Sequence, residues 1–189
     1  MRIAIESGHG YKGDTYDPGA ISQIENNRYE EAAIAYDYAL SLRFVLKSHN
    51  IESLIIPNQK SNGLNLTQRA TYITQNKCTA VVSIHLNSHK NKEANGYETL
   101  YRRDDQKSFA ETIHQALQRA YPELTNRGIK QQKVMILSPS VPGALIELGF
   151  ITNQKDIETV APNDPEQYRT RRILLAKQIT SAIIRFFGN

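Results

Sequence analysis

Short apolar runs recur along the chain with helix-period segments between them, and this alternation constrains the fold more than any other feature. RIAIES (2–7), ESLIIP (52–57), TAVVSIH (79–85) and GYETLY (96–101) read as strands. Between the first two, from Tyr29 to Lys47, Ala33, Ile34, Tyr38, Leu42, Val45 and Leu46 recur at helical spacing. NLTQRATYITQN (65–76) is a second helix with Asn65 or Thr67 as its cap, and SFAETIHQALQRAY (108–121) a third that stops at Pro122. YRTRRILLAKQITSAIIRFF (168–187) closes the chain as an amphipathic helix. The glycine- and proline-rich GYKGDTYDPGAIS (10–22) is read as a loop, and VMIL (134–137) and GALIEL (143–148) as short apolar runs punctuated by Pro139 and Pro142. Strands separated by helices imply an α/β fold, a mostly parallel twisted central sheet with helices on both faces. With 189 residues and 40% hydrophobic content, the chain suffices for one domain, residues 1–189, with a substantial core.

Charge narrows the partners. The net charge of +4 makes the surface mildly basic, compatible with a polyanion such as an acidic cell wall. It lacks the dense Lys/Arg clusters that would argue for nucleic acid. No stretch approaches the ~20 apolar residues of a membrane span. The first residues carry no apolar run of signal-peptide length, since Glu6 and the Gly-His-Gly turn arrive too early. The expectation is synthesis in the cytoplasm without a signal peptide, with any wall target reached by a separate release. Cys78, the lone cysteine, reads as a small buried hydrophobe.

In parallel sheets the ligand site lies beyond the carboxyl ends of the strands. His9, His85 and Glu147 each fall at the exit of an apolar, strand-like run. A glutamate in so apolar a setting as GALIELGF must be paired, protonated or metal-bound to offset its desolvation. Hydrolytic zinc commonly takes two His and one Glu plus water, with a separate Glu as general base. The helical H-E-x-x-H signature is absent, so metal ligands would come from dispersed positions.

SGHGYKGDTYDPGA, SIHLNS, NRGIKQQKVMIL and PGALIELGFITNQKD, in that order, resemble the successive motifs of the zinc-dependent N-acetylmuramoyl-L-alanine amidases of bacterial autolysins and phage endolysins. The resemblance runs from residue 3 to about residue 156, and the last helix fits the family's closing helix. It implies a Zn2+ cofactor held by His9, His85 and a glutamate at the start of the first long helix, with Glu147 as the catalytic glutamate. That third ligand is Glu31 by register from the helix end. Glu30 is the alternative, because one inserted residue in the preceding loop would exchange them, and adjacent helical positions diverge by about 100°. The asparagine usual four positions after this glutamate is Ala35 here, and the aspartate usual three before the first histidine is Glu6. Glu6 is expected either to orient His9 or to pair with a cation, and Arg69 to brace the loops. Asn87 is a candidate substrate contact. Outside this set, His49 is expected in a polar role at a helix end, His114 exposed in mid-helix, and His89 solvated in a loop.

The resemblance implies hydrolysis of the amide between N-acetylmuramic acid and L-alanine in peptidoglycan, in a phage or prophage endolysin or another cell-lysis enzyme. Two alternatives stand beside it: a zinc peptidase cleaving within the stem peptide, and a non-catalytic wall-binding module on the same fold. A pure binding module has no need of a general base at Glu147. Oligomeric state is left open.

Overall fold

The computed structural model describes residues 1–188. Six strands make the central sheet: β1 (Arg2–Ser7), β6 (Glu52–Ile55), β7 (Ala80–Asn87), β8 (Tyr97–Tyr101), β9 (Asn126–Gln131) and β10 (Gly143–Phe150), in the order β6-β1-β7-β10-β8-β9. The pairings β6–β1, β1–β7, β7–β10 and β8–β9 are parallel, and only β8–β10 is antiparallel. Two short hairpins precede the first helix: β2 (Gly10–Lys12) with β3 (Thr15–Asp17), and β4 (Ile21–Ile24) with β5 (Asn27–Glu30).

The helices are α1 (Glu31–Ser48), α2 (Leu66–Gln75), α3 (Lys107–Ala120), α4 (Gln154–Val160) and α5 (Pro165–Phe187). Helices α1, α3 and α5 pack together on one face, where Ile3, Ile5, Val82, Ile84, Ala144 and Ile146 form the larger core. Helix α2 and a 3-10 turn at Met135–Leu137 cover the other face over Ala4, Val81, Leu100 and Leu145. The two sets alternate along β1, β7 and β10, as a sheet buried on both faces requires. No helix among the described residues is long and apolar enough to cross a membrane.

Local chemistry explains the helix starts. Asn65 caps α2 in a reciprocal box: its side chain accepts from the Gln68 amide at 2.9 Å, and the Gln68 side chain accepts from the Asn65 amide at 2.9 Å. Asp164 caps α5 ahead of Pro165 at the first helical position. Helix α1 has no side-chain cap; its first amides, of Glu31 and Ala32, donate to the carbonyls of Ala20 and Pro18, each at 3.0 Å. The loop thus does the work of a cap and leaves the Glu31 carboxylate free for other contacts.

Three expectations shift. The stretch read as a loop is largely hairpin, and Tyr29 lies in β5, so the first helix begins at Glu31. His114 is buried: its Nε2 donates to Asn126 at 2.8 Å, its Nδ1 accepts from the Thr99 hydroxyl at 3.0 Å, and burial lowers its pKa. It belongs to the apolar stripe of α3 with Ala110, Ile113 and Leu117. Strands β7 and β10 continue past His85 and Glu147, which are therefore paired inside the sheet. Cys78 is buried and free, and His49 bonds the last turn of α1 through the Val45 carbonyl at 3.0 Å.

Candidate active site

The carboxyl ends of β1 and β7 and the start of α1 converge. His9 follows β1 in a left-handed backbone conformation (φ 62°), which turns its ring back across the strand end. His85 projects from β7, and Glu31 reaches in from the first residue of α1. One donor atom from each of the three lies within 4.8 Å of the others. Glu31 bridges the rings, its Oε2 3.1 Å from His9 Nε2 and its Oε1 2.9 Å from His85 Nδ1. The amides of Ala20 and Leu86 donate to the same carboxylate at 3.0 and 3.2 Å, fixing its plane. Two glycines make room. A Cβ on Gly8 would lie 2.3 Å from the His85 ring, and one on Gly19, itself at φ +68°, 2.6 Å from the His9 ring.

Glu30 turns away, accepting from the Tyr16 hydroxyl at 2.8 Å and from Arg28 at 2.9 Å. Of the two adjacent glutamates, the structure brings Glu31 to the histidines.

The outer nitrogens of both rings are held by carboxylates. His9 Nδ1 is 3.1 Å from Asp17 Oδ2, while His85 Nε2 is 3.4 Å from Glu6 Oε2. Glu6 therefore faces His85, not His9, because the alternation of β1 points it to the α2 face with Ser83 and His85 beside it. Its remaining contacts are Ser83 Oγ and Arg69, each at 2.5 Å. Arg69, itself buried, also donates to the backbone carbonyls of Leu64, Ser7 and His9, so it braces the strand end and the loop that carries His9. Burial opposes ionisation of Glu6, but His85, Arg69 and Ser83 together hold its pKa down at about 2. Glu31 is likewise held far below the usual range: burial again opposes, and the two imidazoles prevail. The Glu31 hydrogen bond raises the pKa of His9. Burial opposes charge on His85, and Glu31 and Glu6 still push its pKa well up.

Glu147 sits beside this cluster, directly opposite His85 across the β7–β10 pairing. Its residue is half-buried, yet its Oε2 atom is buried without a hydrogen-bond partner among the described residues. Burial, aided by the like charges of Glu31 and Glu98, pushes its pKa up to about 7. A carboxylate poised there can exchange a proton near neutral pH. Asn87 lies two residues beyond His85, and its amide donates to Glu98 at 3.4 Å, away from the cluster. His89 is on the exposed loop that follows.

Two residues of this neighbourhood escape the sequence reading. Asp17 betrays itself only through the D-P-G turn, where its Oδ1 accepts from the Gly19 amide at 3.0 Å. Glu98 is an acid inside the alternating strand GYETLY, the same signal that singles out Glu147.

A tetrahedral zinc with bonds of ~2.0–2.2 Å needs donors roughly 3.3 Å apart. Two imidazole nitrogens and one carboxylate oxygen within 4.8 Å of one another, with their outer atoms braced, are the donor types such an ion takes, gathered close to that spacing.

Residues 3–185 match the N-acetylmuramoyl-L-alanine amidase family Amidase_3. The chain is 31% identical over 189 residues to the probable cell wall amidase LytH of Staphylococcus epidermidis, covering 99% of this chain and 58% of that protein. It is 30% identical over 164 residues to LytH of Staphylococcus saprophyticus, covering 84% and 50%. The chain thus spans about half the length of these relatives. Among solved structures, the catalytic domain of CwlV, an N-acetylmuramoyl-L-alanine amidase from Bacillus (Paenibacillus) polymyxa var. colistinus, superposes with a TM-score of 0.84 at 28% identity, covering 99% and 98% of the two chains. An N-acetylmuramoyl-L-alanine amidase from Clostridium difficile 630 gives 0.84 at 26% identity, covering 100% and 97%. The chain belongs to the N-acetylmuramoyl-L-alanine amidase family.

Proposed function

We propose that this chain hydrolyses the amide between N-acetylmuramic acid and L-alanine in peptidoglycan at the cell wall, with Zn2+ held by His9, Glu31 and His85 and Glu147 as general base. The observation that carries the reading is one juxtaposition: two imidazoles and a carboxylate share a donor cluster beside a buried carboxylate oxygen that has no partner among the described residues. Family membership supports the same bond as the target.

Bound zinc supplies a Lewis acid that polarises the scissile carbonyl and makes water acidic enough to lose its proton near neutral pH. The protein's residues supply the rest. Asp17 and Glu6 fix which nitrogen of each histidine faces the cluster. The Ala20 and Leu86 amides hold Glu31 in its bridging position. Glu147 takes the proton of the attacking water on its carboxylate and delivers it to the departing alanine nitrogen. The register of β7 against β10 sets Glu147 next to His85, so the rigid sheet, rather than a loop, positions base and ligand.

Elemental analysis of the purified chain, with peptidoglycan digestion before and after chelation, tests this. About one zinc per chain, with chelator-sensitive release of new L-alanine amino termini, is expected. New termini inside the stem would favour a zinc peptidase. Wall binding without turnover would favour a non-catalytic module.

A further inference from the structure

Beyond Glu147 the sheet carries a second charged cluster. Glu98 on β8 is paired with Glu147 across the antiparallel ladder and is 6% exposed. Two cations from the edge strand β9 converge on its Oε2, Arg127 Nε at 2.7 Å and Lys130 Nζ at 2.5 Å. Residues three apart on a regular strand face opposite sides. Here the register against β8 slips by one residue between Tyr97 and Thr99, with Gly128 in a left-handed conformation (φ +77°). This bulge turns Arg127 and Lys130 to the same side, as bulges near active sites do.

The cluster is more than a closed salt bridge. Two cations meet one carboxylate, leaving one positive charge over. Among the described residues only Nε of the Arg127 guanidinium is engaged, and the group rests 4.9 Å from the centre of the Phe150 ring. The Arg127 and Lys130 side chains are 34% and 43% exposed, and both reach Glu98, which shares its side of the sheet with Glu147.

We propose that Arg127 and Lys130, held in place by Glu98, form an anion subsite for the free α-carboxylate of the second stem residue, an inference that rests on the amidase reading of the site. The carboxyl of the muramic acid is consumed in the scissile amide, so the nearest anion lies on the peptide side. Adjacent strands are ~4.8 Å apart, which sets the Glu98 row one step from Glu147. From the alanine nitrogen to the carboxylate of the next residue is about two residues of extended chain, roughly 7 Å. The stem then crosses β8 toward the β9 edge.

The test uses two γ-linked L-Ala-D-Glu-L-Lys peptides, one with a free α-carboxylate and one with that group amidated, together with the corresponding muramoyl peptides as substrates. Calorimetry on the zinc-loaded chain should show the acid binding at least about tenfold more tightly, the scale of one charge-assisted contact. Arg127→Gln should erase the difference between the two forms and raise KM for the acid substrate about tenfold, with kcat moving far less. Lys130→Gln, at a more exposed position, should shift the same ratio severalfold. Equal handling of acid and amide by the wild type, or an equal loss on both in Arg127→Gln, overturns the subsite. Turnover without acid selectivity would sink the subsite and leave the amidase reading intact. Acid-selective binding that depends on Arg127, without turnover, would do the reverse.

Discussion

Glu6 and Glu147 lie on opposite flanks of β7, both project toward the α2 face of the sheet, and both have a buried carboxylate oxygen; there the likeness ends. Glu6 is opposite Ser83 and meets Arg69, Ser83 and His85, so its charge is paid for three times over and its pKa falls to about 2. Glu147 is opposite His85, has an oxygen without a partner among the described residues, and rises to about 7. Burial alone does not decide what an interior carboxylate does. Partners turn one glutamate into a fixed anion that orients a histidine, and their absence leaves the other ready to move a proton.

Breaking the unpartnered side should have the largest effect. Glu147→Gln keeps the shape and removes the base, so kcat should fall by about 10²–10⁴-fold. Zinc content should stay near that of the wild type, and a variant that still turns over normally would show that Glu147 is not the base. Stability separates the flanks by sign. A raised pKa means that the folded state binds the extra proton between pH 4.5 and about 7, so Glu147 costs stability as pH rises through that range. Glu147→Gln in the chelated protein should therefore melt no lower than wild type at pH 8.

On the paired side the sign reverses. The depressed pKa of Glu6 gives stability that is present above pH 4.5 and lost as pH falls toward about 2. Glu6→Gln should lose on the order of 3 kcal/mol at pH 7, because Arg69 is left buried without its anion, and the acid-side slope of the unfolding curve should flatten. Denaturant titrations of the chelated protein at several pH values check both points. An unchanged midpoint at pH 7 would mean that the ion pair contributes nothing net.

How much of this was legible follows the same division. Strands with apolar runs and helices with a buried stripe announce themselves, as does the Asn65 cap. The hairpins between Gly10 and Glu30 do not, since their strands are short and largely exposed and carry no apolar alternation. His9 and His85 were within reach because apolar, strand-like runs lead into them, whereas Glu31 was reached only through the family resemblance, with Glu30 beside it as the alternative. What they bond to was not: whether Glu6 faces His9 or His85 depends on the pleat of β1 and on Arg69, sixty-three residues away. The pairing of Arg127 with Lys130 depends on a one-residue bulge that no periodicity reveals.

Asp17 tests the bracing of the other histidine. Its Oδ2 contacts both His9 Nδ1 and Lys12 Nζ, and it is more exposed than Glu6. Asp17→Asn should weaken zinc binding about tenfold, the low end for partners that orient a metal ligand. Competition with a chelator measures it, and an unchanged affinity would leave His9 oriented by its backbone alone.

The smallest effect belongs to Glu30, and it sharpens the contrast at the level of one peptide bond. Glu30 and Glu31 are neighbours, yet Glu30 points to Tyr16 and Arg28 while Glu31 bridges the two histidines. An exposed pair of that kind contributes about 0–1 kcal/mol. Glu30→Gln should therefore shift stability by about 0.5 kcal/mol or less and leave zinc content and turnover within about twofold. Glu31→Gln should lose the metal. If Glu30→Gln lost zinc and Glu31→Gln kept it, the loop ahead of α1 would have to be one residue out of register, and the Ala20 and Leu86 amides that now hold Glu31 would be holding the wrong residue.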